Sequence, residues 1–167
     1  MNQNSNMKAQ QYVKDDVLAR YLGLYPKQYQ LVKNVAYQEG SITAELIPFI
    51  YPFTTEDLDY VTATQLHLYV SQLAYVLIGL SLEDEAYPVI RKLLPFETYE
   101  TKMHAGRLFF TKLDQTMRRV IYKRNLPIKA SMKVQDIRSV RGTRFCTVQF
   151  DLGQQATTGT ILLSAQV

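Results

Sequence analysis

Apolar positions along the chain follow two rhythms, one helical and one alternating. Residues 13–24 (VKDDVLARYLGL) set Val13, Val17, Leu18, Tyr21 and Leu24 at helical spacing. Asp15 and Asp16 fall in the first turn, where carboxylates offset the positive end of the helix dipole. Pro26 closes this predicted helix. Alternation takes over in residues 29–37 (YQLVKNVAY) and 41–49 (SITAELIPF), which flank Gln38-Glu39-Gly40 and predict an antiparallel hairpin. A loop with Pro52 follows, and then the longest apolar stretch, 62–82 (TATQLHLYVSQLAYVLIGLSL). Thr62 with Gln65 three residues on fits a capping box, and a segment apolar nearly all round belongs to a buried helix. Its strongly apolar part contains His67, Ser71 and Gln72 and falls short of the roughly 20 clean residues of a membrane span, so a core helix is expected.

Residues 83–99 read as irregular or partly helical, broken by Pro88 and Pro95. Strand signals return in short apolar-basic runs at 107–110 and 117–122, and then in 129–140, 144–152 and 157–167. Ala130, Met132 and Val134 alternate before the phase shifts toward Ile137 and Val140, which predicts a β-bulge. An antiparallel sheet with one face laid on the long helix accommodates every piece. The predicted class is α+β, in the order of a hotdog fold: a bent antiparallel sheet wrapped around a buried central helix at about 62–82, with an extra N-terminal helix.

At 167 residues one domain is expected, with a core large enough to need no covalent or metal staple. Residues 1–12 are polar and read as a disordered arm before a domain at 13–167. No targeting signal is evident, and the single Cys146 fits a reducing compartment, so the cytoplasm is expected. One Cys and two His are too few for a metal-site reading.

The net charge of +4 hides a segregation. Residues 1–101 carry 7 basic and 12 acidic side chains, whereas residues 102–144 carry 12 basic ones against Asp114 and Asp136 alone. Such a basic segment attracts phosphates, an acidic carrier protein or nucleic acid, unless it is the solvated face of the strands.

Within the central segment, Thr62-Ala63-x-Gln65-Leu66 and Ser71-Gln72-Leu73-Ala74-Tyr75 resemble the N-A-x-E-L…N-Q-L-A-Y pattern of the FcoT-type long-chain fatty acyl-CoA thioesterases, which are single-hotdog proteins. The tetrapeptide from Gln72 to Tyr75 is the most specific part. Leu18-Ala19-Arg20 with Tyr25 resembles that family's N-terminal helix and following tyrosine, and residues 118–165 keep its basic-then-β layout. The resemblance implies an acyl-thioester hydrolase acting on fatty acyl-CoA or acyl carrier protein esters. Coenzyme A or phosphopantetheine then enters only as part of the substrate, with no other cofactor. It also implies a polar cluster of Tyr and Asn around the helix. Two Asn positions fall on Thr62 and Ser71, Tyr25 takes a tyrosine position, and Tyr51 and Tyr60 lie near the remaining one.

Thioester hydrolysis needs a polarised carbonyl, a water and room for a chain. The N–H groups of Ala63 and Thr64 at the helix start suit a developing oxyanion, although every capped helix offers such donors. Thr64, His67, Ser71 and Tyr75 share one helical face, with Gln65, Tyr69 and Gln72 on the next, and buried members must find partners. His67 is a candidate base, with Ser71 a candidate to orient water. Glu56, Asp57 and Asp59 are further candidates in the loop, and His104 is unassigned. Leu66, Val70, Leu73 and Leu77 are expected to line either an acyl tunnel or an ordinary core. Arg118, Arg119, Lys123 and Arg124 are the clustered candidates for coenzyme phosphates or an acidic carrier. Three other readings remain: a non-catalytic acyl-thioester binder; a hydroxyacyl-thioester dehydratase, disfavoured because the loop entering the helix lacks His; and, as an outsider, a nucleic-acid binder. A homodimer or higher homo-oligomer is expected, with sites at the subunit interface.

Overall fold

The computed structural model describes residues 11–49, 58–104, 108–125 and 127–166. Among them lie seven strands: β1 (Gln11–Tyr12), β2 (Val32–Gln38), β3 (Ser41–Leu46), β4 (Leu108–Met117), β5 (Ile128–Val140), β6 (Thr143–Leu152) and β7 (Thr157–Gln166). Three α-helices accompany them: α1 (Asp15–Tyr21), α2 (Ala63–Glu83) and α3 (Phe96–His104). All strand pairs are antiparallel, in the order β1-β2-β3-β5-β6-β7-β4. Alternation decides the inner face: Ile128, Ala130, Met132 and Val134 of β5, Cys146, Val148, Phe150 and Leu152 of β6, and Ile161, Leu163 and Ala165 of β7 are all buried. Helix α2 lies against that face, with Leu66, Val70, Leu73 and Leu77 in the same core cluster. This is the hotdog arrangement.

Local chemistry explains the joints. Glu39 (φ 39°) and Gly40 (φ 74°) both take left-handed backbone between β2 and β3, the requirement of a tight two-residue hairpin turn. A Cβ on Gly40 would lie 2.5 Å from the Tyr87 ring, so glycine is needed there for space as well. The phase shift in β5 is a true bulge: pairing passes from Val134 with Val148 to Asp136 with Thr147, leaving Gln135 extra. Gly79 lets α1 settle on α2, because the Tyr21 ring occupies the position a Cβ would take.

Three expectations change. Gln11 and Tyr12, expected in the arm, pair with Tyr37 and Ala36 of β2 as the short edge strand β1. The first helix spans Asp15–Tyr21 instead of 13–24: Leu22 N–H makes the last helical bond, to Leu18 O at 2.9 Å, and Gly23 N–H then turns to Arg20 O at 3.4 Å ahead of Pro26. The runs at 107–110 and 117–122 are not two strands. One strand, β4, fills the gap between them; its register shifts between Phe110 and Lys112, and the extra Thr111 breaks the alternation that would have revealed it. Residues 118–121 leave the sheet, with Arg118 and Arg119 N–H both donating to Ala156 O at 2.8 and 3.2 Å.

Among the described residues, α2 alone is long and apolar enough to cross a membrane, and 78% of its apolar window is buried inside the structure. That burial identifies it as the core helix.

Candidate active site along the central helix

The start of α2 is built by the capping box that the sequence predicts. Thr62 Oγ1 accepts from Gln65 N–H at 3.3 Å, and Gln65 Oε1 accepts from Thr62 N–H at 2.8 Å. Gln65 Nε2 also donates to Phe49 O at 3.2 Å, tying the incoming chain to the helix. Leu66 N–H is taken by Thr62 O at 3.0 Å. The exposed Ala63 and Thr64 are therefore the first-turn residues whose N–H groups stay uncommitted among the described residues.

From that end an open face runs along the helix with graded burial. Thr64 and His67 are exposed, Leu68, Ser71 and Tyr75 are half-buried, and Ile78 and Leu82 are fully buried. Tyr25, just after α1, closes one side, its ring centroid 6.3 Å from that of Tyr75. Phe110 of β4 packs edge-on against the same Tyr75 ring at 5.8 Å. Burial, and after it the neighbouring Tyr75 phenol, pushes the Tyr25 hydroxyl well above its ordinary value. Burial also raises the Tyr75 phenol. Both phenols therefore remain O–H donors at neutral pH.

The sequence candidates thus fall into groups. Tyr25, Ala63, Thr64, His67 and Ser71 border one open face, and Thr62 caps the helix that carries it. Tyr51, Glu56 and Asp57 lie outside the described residues. Tyr60 is 44% exposed beside the helix start and bridges Tyr122, whose ring carries the Arg124 guanidinium at 4.5 Å. Asp59 is committed there, 3.7 Å from Arg124 and with its carbonyl accepting from Lys123 N–H at 2.8 Å. The basic candidates do not form one strip. Lys123 and Arg124 stand by the helix start, and Arg119 donates to Gln154 O at 2.7 Å in the β6–β7 turn. Arg118 lines a cavity of about 500 Å³ on the outer face of the sheet with Lys133 and Gln149. Leu66, Val70, Leu73 and Leu77 face inward as core. The sequence places Tyr75 on the polar helical face and in the motif, but nothing local ties Phe110 or Tyr122 to the helix, since long-range pairing brings them there.

No protein-family model matches the chain, and no curated protein matches it by sequence. Solved structures do. Cj0977, a sigma28-regulated virulence protein from Campylobacter jejuni, is 9% identical over 94% of this chain and 95% of its own, with a TM-score of 0.51. A thioesterase from Thermus thermophilus, crystallised with coenzyme A and Zn, is 13% identical over 78% of this chain and 82% of its own, with a TM-score of 0.43. The E. coli PaaI protein of the phenylacetic acid degradation operon is 11% identical over 91% of this chain and 88% of its own, also at 0.43. The Campylobacter likeness supports the hotdog arrangement; none of the three assigns a substrate to this chain.

Proposed function

We propose that the protein is an acyl-thioester hydrolase acting on fatty acyl-CoA or acyl carrier protein esters. The observation that carries this reading is the open face of α2, which begins at the uncommitted Ala63 and Thr64 amides and sinks between Tyr25 and Phe110 toward a buried end. In this reading those amides hold the thioester oxygen, where the helix dipole favours the charge that develops on it. His67, one turn on, accepts a proton from water as the water oxygen bonds to the carbonyl carbon. The C–S bond then breaks, the leaving thiolate takes the proton back from His67, and a free acid and a thiol result.

Ser71 lies roughly 12 Å along the axis from Ala63 at 1.5 Å per residue, too far to orient that water. Lys123 and Arg124 stand beside the helix start and suit coenzyme phosphates or acidic carrier side chains. The resemblance to the FcoT-type enzymes supports long fatty chains. In a homodimer, β4 would meet its copy: it is the last strand of the order and ten residues long, and no strand among the described residues pairs with its outer edge.

The test is hydrolysis of acyl-CoA esters from short to long and of carrier-linked esters. His67→Ala is expected to lower kcat about 100-fold, the usual scale for a lost general base. Failure of every ester ends the hydrolase reading. A non-catalytic binder is the second reading, favoured by Thr62 and Ser71 standing where the FcoT-type pattern has Asn. A bound acyl chain with no turnover, indifferent to His67→Ala, would select it.

A further inference from the structure

Beyond His67 the open face holds three hydroxyls that bond to nothing among the described residues. Tyr25, Ser71 and Tyr75 are each half-buried, and their side-chain oxygens have no hydrogen-bond partner among the described residues. They are also absent from the buried side-chain oxygens that lack partners, which are those of Ser81, Gln115 and Thr157, so the three hydroxyls reach open space. Helical spacing and one ring contact place them side by side. Ser71 and Tyr75 are one turn apart on the same face, and a helical side chain leans toward the N-terminus, which carries the Tyr75 phenol back over Ser71. Tyr25 meets that phenol from the side, ring to ring at 6.3 Å. Half-buried Leu68 and Phe110 supply apolar walls.

Among the described residues no charged group acts on these phenols: burial and then the paired phenol raise Tyr25, and burial raises Tyr75. Such a place does not attract a carboxylate or phosphate. It suits a neutral oxygen on an otherwise apolar ligand, because three hydroxyls can both donate to it and accept from it.

We infer that Tyr25, Ser71 and Tyr75 form a subsite for a hydroxyl or keto oxygen carried partway along the acyl chain, so that the preferred substrate is an oxygenated fatty acyl thioester. The position rests on the hydrolase reading, which puts the reacting carbonyl at Ala63 and Thr64. With the Tyr75 phenol leaning back to the level of Ser71, the subsite is on the order of 10 Å further along the helix. Tyr25 then recognises the chain and takes no part at the reacting centre.

The test separates binding from turnover. Affinities of the full chain for dodecanoate and for mid-chain hydroxydodecanoates are measured by calorimetry, in the wild type and in Tyr25→Phe and Tyr75→Phe, which keep both rings in place. One of the hydroxylated acids is expected to bind about tenfold tighter than dodecanoate, the scale of one net hydrogen bond. In either variant the ratio is expected to fall toward one. Equal affinities in the wild type, or a preference untouched by both substitutions, overturn the subsite. A preference lost in the variants, in a protein that hydrolyses no thioester, supports the subsite while removing the hydrolase reading. Turnover without any preference does the reverse.

Discussion

Two faces of α2 carry polar side chains, and they use them in opposite ways. On the buried face the amides and phenols have their partners, Ser81 being the buried hydroxyl of this helix that lacks one among the described residues. Gln72 accepts from Leu31 N–H at 2.8 Å and donates to Tyr29 O at 2.6 Å, Tyr69 donates to Ile47 O at 2.9 Å, and Gln65 completes the capping box and reaches Phe49 O at 3.2 Å. On the open face the side chains of His67, Ser71 and Tyr75 have no hydrogen-bond partner among the described residues. A buried polar group without a partner costs roughly 1–3 kcal/mol, so the first set is bound by folding itself. The second set keeps its hydrogen-bonding capacity for something else. Residue type does not separate the sets, since both contain a tyrosine; burial and partners do.

Alkali is the broadest way to challenge this division, because it acts on both faces. Burial, above all other causes, raises the phenols of Tyr21, Tyr25 and Tyr69, and it pushes Tyr37 up to about 12. The unfolded chain releases these protons near pH ~10 while the folded chain holds them. Their contribution to stability is therefore complete below pH ~10 and is lost as pH rises from there through the raised values. A tyrosinate absorbance titration should show the buried phenols of Tyr21, Tyr25, Tyr37 and Tyr69 ionising only together with unfolding, followed by circular dichroism. A single smooth transition near pH ~10 with the fold intact would refute the burial of these rings.

Gln72→Leu comes next in size. It strands Leu31 N–H and Tyr29 O inside the molecule, and two such groups together predict a loss on the order of 3–5 kcal/mol in urea unfolding. A loss under about 1 kcal/mol would mean that the residue 29–31 segment finds water instead, and the contrast between the faces would weaken.

Legibility in the sequence followed the range of the interaction. The capping box, the Glu39-Gly40 turn and the β5 bulge are written in neighbouring residues, and all three were readable. Gln65, Tyr69 and Gln72 could be marked as needing partners because helical spacing puts them on an apolar face; the partners, at residues 29–31 and 47–49, could not be named. β4 was split because its one extra residue, Thr111, broke a period-two pattern. The basic candidates looked clustered because they are close in sequence. Yet Arg118 follows the strand's outward side and Arg119 turns to Gln154, so proximity along the chain did not survive folding. Tyr75 and Phe110 meet only through the antiparallel course of β4 and α2, which no local pattern encodes.

Thr62→Ala lies between the two faces, since Thr62 caps the helix and also stands at its open start. Losing a capping oxygen is expected to cost about 1 kcal/mol, measurable as a shifted urea midpoint with unchanged slope. Thr62→Ser keeps the oxygen and is expected to stay within a few tenths of a kcal/mol of wild type. If both variants fold with those stabilities and either loses turnover, Thr62 has a chemical role beyond the cap.

The smallest effects are expected on the open face, and that smallness is what the contrast needs. Tyr75→Phe removes a hydroxyl that bonds to nothing among the described residues, while the ring keeps its contacts with Tyr25 and Phe110; Tyr99 still donates to the Tyr75 carbonyl at 2.6 Å. Ser71→Ala removes a hydroxyl from a helix interior, where alanine has the better propensity. Each is expected within about 0.5 kcal/mol of wild type in urea unfolding, with the serine change on the stabilising side. A loss near that of Gln72→Leu would show that the open-face hydroxyls are held in the folded protein after all, most directly by a second copy across the face. The same measurement at several protein concentrations would reveal that partner, because the stability of an associating protein rises with concentration while that of a lone chain does not.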